Sequence, residues 1–130
     1  MANLFKHLKR MMFVAAVIFP STVQAQQYFC NVNPQTNTGV PPSVTIVYSG
    51  NRAQVSHGWY DGPVQRDVRA RNNDGNSRMN YTMRSVGFGG ARATLAARIT
   101  HDRNTNSFLF VIDPQGYRNT FSGSGVCTPG

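Results

Sequence analysis

At 130 residues, with 13 lysines and arginines against five acidic residues, the chain carries a formal net charge of +8. Its length allows one modest domain and excludes two. With two cysteines only one intramolecular bridge exists, and with no glutamate and five aspartates the carboxylates for acid and base chemistry are few.

The N-terminal stretch has the pattern of a secretory signal. Lys6, Lys9 and Arg10 precede an apolar run from Met11 to Phe19, and Val23 and Ala25 stand three and one positions before the expected cut. The run is about half of the ~20 residues needed to cross a bilayer, so residues 1–25 are expected to be removed and not to span the membrane. No cysteine follows the cut, which argues against a lipoprotein. Residues 26–130 then form a single domain, periplasmic or secreted. Three of the 13 basic residues leave with the signal, so ten remain against five acids, a net charge of +5. All ten are arginines, whose planar fork binds carboxylate, phosphate or sulfate at two points. The charge suggests an anionic partner; the other reading is an ordinary soluble surface in a protein that favours arginine over lysine.

Short β-strands separated by turns follow. Tyr28 to Val32 is the first candidate, and Asn33 to Pro42 is a polar loop. Val44, Ile46 and Tyr48 alternate along the next strand. Ser49-Gly50-Asn51 is a tight turn into Arg52 to His57, where Ala53, Val55 and His57 share a face. Trp59 to Pro63 breaks the pattern, and Val64 to Ala70 is a weaker strand. Asn72 to Asn76, with Asp74-Gly75 at its centre, is a turn whose residues tolerate left-handed backbone angles. Met79, Tyr81 and Met83 then alternate with Arg78, Asn80, Thr82 and Arg84, up to the loop Gly87 to Gly90.

From Ala91 to His101 the alternation resumes, with Ala93, Leu95, Ala97 and Ile99 on one side and Arg92, Thr94, Ala96, Arg98 and Thr100 on the other. A strand fits this period of two; an alanine-rich helix is the alternative. Asp102 to Asn106 is a turn, Phe108 to Ile112 is apolar on both faces, Asp113 to Gly116 is a β-turn, and Tyr117 to Cys127 is the last strand.

The expected fold is all-β, a small antiparallel meander barrel of seven to eight strands. In an oxidising compartment Cys30 and Cys127 are expected to pair. Bridged cysteines need Cα atoms within about 7 Å, which makes the terminal strands neighbours and closes the barrel. A two-sheet sandwich is the alternative.

If the hairpin is centred on Phe88, Arg84 faces Arg92, Arg78 faces Arg98, and Thr82 faces Thr94. Opposed like charges are unfavourable unless an anion answers them, so these four arginines are the candidate binding face, with Ser77 and Tyr81 at its margin. A shift of register, or neutralisation by Asp67 and Asp102, would remove the argument. Enzyme chemistry finds little footing, since His101 and Asp102 are strand neighbours that point to opposite faces and no serine sits in a nucleophile-elbow pattern. No cofactor or metal site is expected, and the export route removes nucleic acid as a specific partner. An alternative function is a lipocalin-like barrel with Tyr48, Trp59, Tyr81, Phe108 and Phe110 turned toward an apolar ligand, or a structural protein of the cell envelope.

Tyr28-Phe29-Cys30, the strand Val44 to Tyr48 with its Ser-Gly-Asn turn, Ser77 and Tyr81 at S-x-x-x-Y spacing, and the segment Phe88 to Leu95 together resemble the periplasmic and membrane-bound inhibitors of C-type lysozyme. The resemblance implies a disulfide-bridged barrel that inserts a serine and a basic residue into the acidic cleft of the hydrolase. Ser77 would then hydrogen-bond a catalytic carboxylate, and Arg92 would face the acidic pair. Departures are Arg78 after Ser77, where the family usually has glycine, and arginine where it commonly has lysine. The partner expected overall is an acidic protein cleft or an anionic polysaccharide.

Overall fold

The structure, a computed structural model, describes residues 25–33, 39–86 and 92–130. Most of the signal segment, part of the loop after Asn33 and the loop Gly87 to Gly90 lie outside the described residues. The described residues form nine strands: β1 (Gln26–Val32), β2 (Ser43–Ser49), β3 (Arg52–His57), β4 (Val64–Arg69), β5 (Arg71–Asn73), β6 (Asn76–Val86), β7 (Arg92–Asp102), β8 (Ser107–Pro114) and β9 (Phe121–Pro129). They form one antiparallel sheet in the order β4-β3-β2-β1-β9-β8-β7-β6-β5, and no helix occurs among the described residues.

The count exceeds the expected seven to eight because one extended segment changes partner. β4 pairs with β3 and β5 with β6, and only Ala70 separates them. Ala70 is buried and its N–H donates to the Asn51 carbonyl at 2.8 Å. The two ends of the sheet order are therefore joined by a single residue, which makes the barrel nearly closed.

Turn chemistry sets the hairpins. Asp74 and Gly75 have φ of 49° and 86° between the paired Asn73 and Asn76, the two positive angles that a two-residue turn with the strand's own twist requires. Between β7 and β8, the Asp102 carboxylate accepts from the Asn104 and Thr105 N–H groups at 2.9 and 3.4 Å. The last strand begins at Phe121, later than Tyr117, because residues 117–120 carry the chain from the turn after Pro114 to the paired region.

The alanine-rich segment is strand, not helix. From Arg92 to Asp102 its Leu95, Ala97, Ile99 and His101 are buried, opposite Met83, Tyr81, Met79 and Ser77 of β6. Small alanines on β7 leave room for the methionines and Tyr81, so the pairing outweighs the intrinsic helical preference of alanine. Ile46, Met79, Ile99 and Phe110 are fully buried and fill the interior together with Val55 and Ile112.

Cys30 and Cys127 are bridged, and they are direct register partners on β1 and β9 with Cα atoms 3.9 Å apart. The sequence separation is 97 residues; constraining a loop of that size contributes roughly 4 to 5 kcal/mol in the chain-entropy model. Between Phe121 and Cys127 the residues of β9 on the cysteine's side are both glycine. A Cβ on Gly125 would run into the Asn31 carbonyl and the Phe108 ring, and one on Gly123 into Val32 and Val40. These glycines let β9 lie tight against β1 and the core, which brings the cysteines together.

Candidate functional site

On β6 and β7 all four arginines singled out in the sequence point outward and are exposed. Their register differs from the expected one by two residues. Arg84 faces Thr94, Arg78 faces Thr100, Arg98 faces Asn80, and Arg92 faces Val86. A two-residue slip preserves which face each side chain occupies, so the face survives while the opposed guanidinium pairs do not. The inward pairs Met79 with Ile99, Tyr81 with Ala97 and Met83 with Leu95 sit in the observed register, and it spares the outer face two like-charge pairs.

Opposed arginines do occur, one step around the barrel. Arg71 on β5 faces Arg78 on β6, and Arg52 on β3 faces Arg69 on β4. Arg52, Arg69 and Arg71 were not singled out from the sequence, because their pairing depends on the change of partner at Ala70, which no local pattern announces.

Neutralisation by acid is sparse. Asp67 pairs with Arg52 at 3.5 Å, an exposed contact that contributes little. Asp102 is engaged in the β7–β8 turn. Among the described residues no carboxylate lies within ion-pair distance of Arg71, Arg78, Arg84, Arg92 or Arg98. Arg98 stands between two shallow hollows of the outer wall, one shared with Arg78, Thr100 and Leu109, the other with Thr82, Ala96 and Asp113. Asp102 also lines the first hollow, so each of the two presents one aspartate beside Arg98.

Ser77 and Tyr81 are not at the margin of this face. Both belong to the inward set of β6, and Ser77 is fully buried. Its hydroxyl donates to Asn72 Oδ1. Parity explains the correction: Ser77 and Tyr81 are odd-numbered, in phase with Met79 and Met83, whereas the arginines of β6 are even-numbered.

Two histidine–tyrosine pairs occupy opposite ends of the interior. His57 Nδ1 lies 2.8 Å from the Gly58 carbonyl, to which it must donate, so Nε2 accepts from the Tyr81 hydroxyl at 2.7 Å. At the other end Tyr48 Oη lies 2.8 Å from His101 Nδ1, with Tyr28 edge-on to the imidazole at 4.7 Å and Arg103 over the Tyr48 ring at 4.8 Å. Burial lowers the pKa of both histidines and raises that of both tyrosines, Tyr48 to about 12. These groups are held neutral. His57 is bonded to Gly58 and Tyr81, and the described residues contain no cluster of three or more histidine, cysteine or acidic side chains able to hold a metal ion.

Comparison with family models, with curated proteins and with solved structures finds no match.

Proposed function

We propose that this chain is an exported binding protein, without catalytic chemistry of its own, whose outer wall over β5, β6 and β7 takes an anionic macromolecule. The observation that carries the reading is the row of exposed arginines, Arg71, Arg78, Arg84, Arg92 and Arg98, with no carboxylate in ion-pair distance among the described residues. A disulfide joining the terminal strands suits the oxidising compartment that the N-terminal pattern addresses. The alternative of a barrel carrying an apolar ligand is the weaker one, since Tyr48, Tyr81, Phe108 and Phe110 are packed among Ile46, Met79 and Ile99.

Inhibition of a lysozyme-like hydrolase is the narrower form of the same proposal. The small disulfide-closed barrel accords with it. With Ser77 and Tyr81 in the interior, it would rest on the arginines alone. Titrating the immobilised domain with C-type lysozyme and with an anionic polysaccharide, at low and at high salt, tests both forms. Salt-sensitive binding to either supports an anionic partner. Binding to neither rejects it, and inhibition of lysozyme turnover is what the narrower form requires.

A further inference from the structure

A line of guanidinium groups crosses the barrel where the sheet changes partner. Arg52 and Arg69 are direct cross-strand neighbours, as are Arg71 and Arg78. Arg69 and Arg71 flank the buried Ala70 and project to the same outer side of one extended segment. Cross-strand partners sit about 5 Å apart and alternate residues of a strand about 6 to 7 Å apart, so the four groups make a stepped line of roughly 15 to 20 Å. Arg98, diagonal to Arg78 across β6 and β7, continues it. Two directly opposed like-charged pairs in so short a stretch are unfavourable in the free protein. Asp67 answers only the Arg52 end, and among the described residues no carboxylate lies in ion-pair distance of Arg69, Arg71 or Arg78.

We infer that this line is the track of a linear anionic polysaccharide, lying across the strands with successive acidic groups against successive arginines. The inference rests on the anionic partner proposed above and gives that partner a class and a place. Every arginine of the line stands on a strand of the barrel wall, convex by construction, and none stands on a projecting loop. An enzyme cleft gathers its carboxylates at the bottom of a hollow that such a wall does not enter. A linear polymer repeats its charge at intervals set by its sugars and follows a curved wall. Each guanidinium can fork onto a sulfate or carboxylate, and the Arg71 and Arg78 pair can share one such group between them.

Dextran sulfate and polygalacturonate are the probes, one bearing sulfates and the other carboxylates, titrated calorimetrically into the intact oxidised domain. Arg69→Gln with Arg71→Gln is expected to weaken binding at least tenfold and to reduce the dependence of affinity on salt, with the β-type circular dichroism unchanged. Arg84→Gln with Arg92→Gln should weaken it several-fold less. Arg118→Gln, which removes one charge from the β8–β9 connection at the opposite end of the barrel, corrects for net charge alone. A larger loss from the Arg84 and Arg92 pair overturns the track and leaves the anionic partner standing. Binding of C-type lysozyme with neither polysaccharide bound overturns the track in favour of a protein cleft. Binding to none of the three overturns the track and the proposed function together.

Discussion

The Tyr81 hydroxyl stands 2.7 Å from His57 Nε2, and this contact fixes the protonation of both groups. With Nδ1–H given to the Gly58 carbonyl, Nε2 has only a lone pair to offer, and an added proton there would remove the acceptor that Tyr81 uses. His101 sits in the same position with respect to charge, buried and paired with Tyr48.

The consequence is acid sensitivity. Both histidines have folded-state pKa values below the ordinary 6.5, chiefly through desolvation. Below that pH the unfolded chain takes up protons that the native state refuses. Stability is therefore complete above about pH 6.5 and is lost as the pH falls toward the depressed folded values, at a slope of at most about 1.4 kcal/mol per pH unit for each histidine. Urea midpoints measured from about pH 8 down to about pH 5 should decline. A midpoint that stays level or rises would show that the imidazoles accept protons in place.

Removing the bridge should be costly. Cys30→Ser is expected to lower stability by roughly 4 to 5 kcal/mol, less any structure retained by the unfolded reduced chain. The oxidised protein, denatured without reductant, should yield no free thiol in a colorimetric titration. Two thiols per chain would contradict the closure at β1 and β9.

Gly125→Ala places a methyl group against the Asn31 carbonyl and the Phe108 ring. Overpacking of this kind costs typically 1 to 3 kcal/mol, and here it separates the strands that carry the cysteines. Slower oxidation on refolding and a lowered melting temperature are expected. An unchanged protein would mean that β9 can shift outward freely.

Arg84 and Arg92 face Thr94 and Val86. Replacing both by alanine should leave stability within about 0.5 kcal/mol, as for exposed positions without special contacts. Affinity for the anionic partner should fall several-fold less than when Arg69 and Arg71 are replaced, since Arg84 and Arg92 face uncharged partners and stand off the line of opposed arginines. Arg71→Thr is different, because it relieves the opposition with Arg78; a gain of a few tenths of a kcal/mol is expected. Chemical denaturation of the two variants side by side separates these effects, and a loss of stability in Arg71→Thr would show that the arginine packs on the wall.

Much of this fold is written in alternation. Val44, Ile46 and Tyr48, or Leu95, Ala97 and Ile99, declare a strand and its buried side without further information. Asp74-Gly75 declares a hairpin, and the two cysteines, given an oxidising compartment, declare which strands meet. Alternation does not declare register, since a slip of two leaves every face intact; Arg84 facing Thr94 instead of Arg92 is that ambiguity realised. Ser77 and Tyr81 share the phase of Met79 and Met83, which turns them inward and away from the arginines. The pairing of Arg71 with Arg78 was beyond reach, because it follows from a strand that leaves β3 for β6 at Ala70.

Eight strand contacts hold the sheet, and in seven of them the partners are consecutive along the chain. The remaining one, β1 with β9, joins the first and the last strand of the fold, and both cysteines lie within it. Local ladders can assemble early, whereas the ring waits for its first and last strands to meet. Thiol oxidation thus becomes a clock for ring closure: quenching a refolding reaction with an alkylating reagent at successive times would count closed molecules directly, while spectroscopic signals of β-structure would rise earlier, with the hairpins.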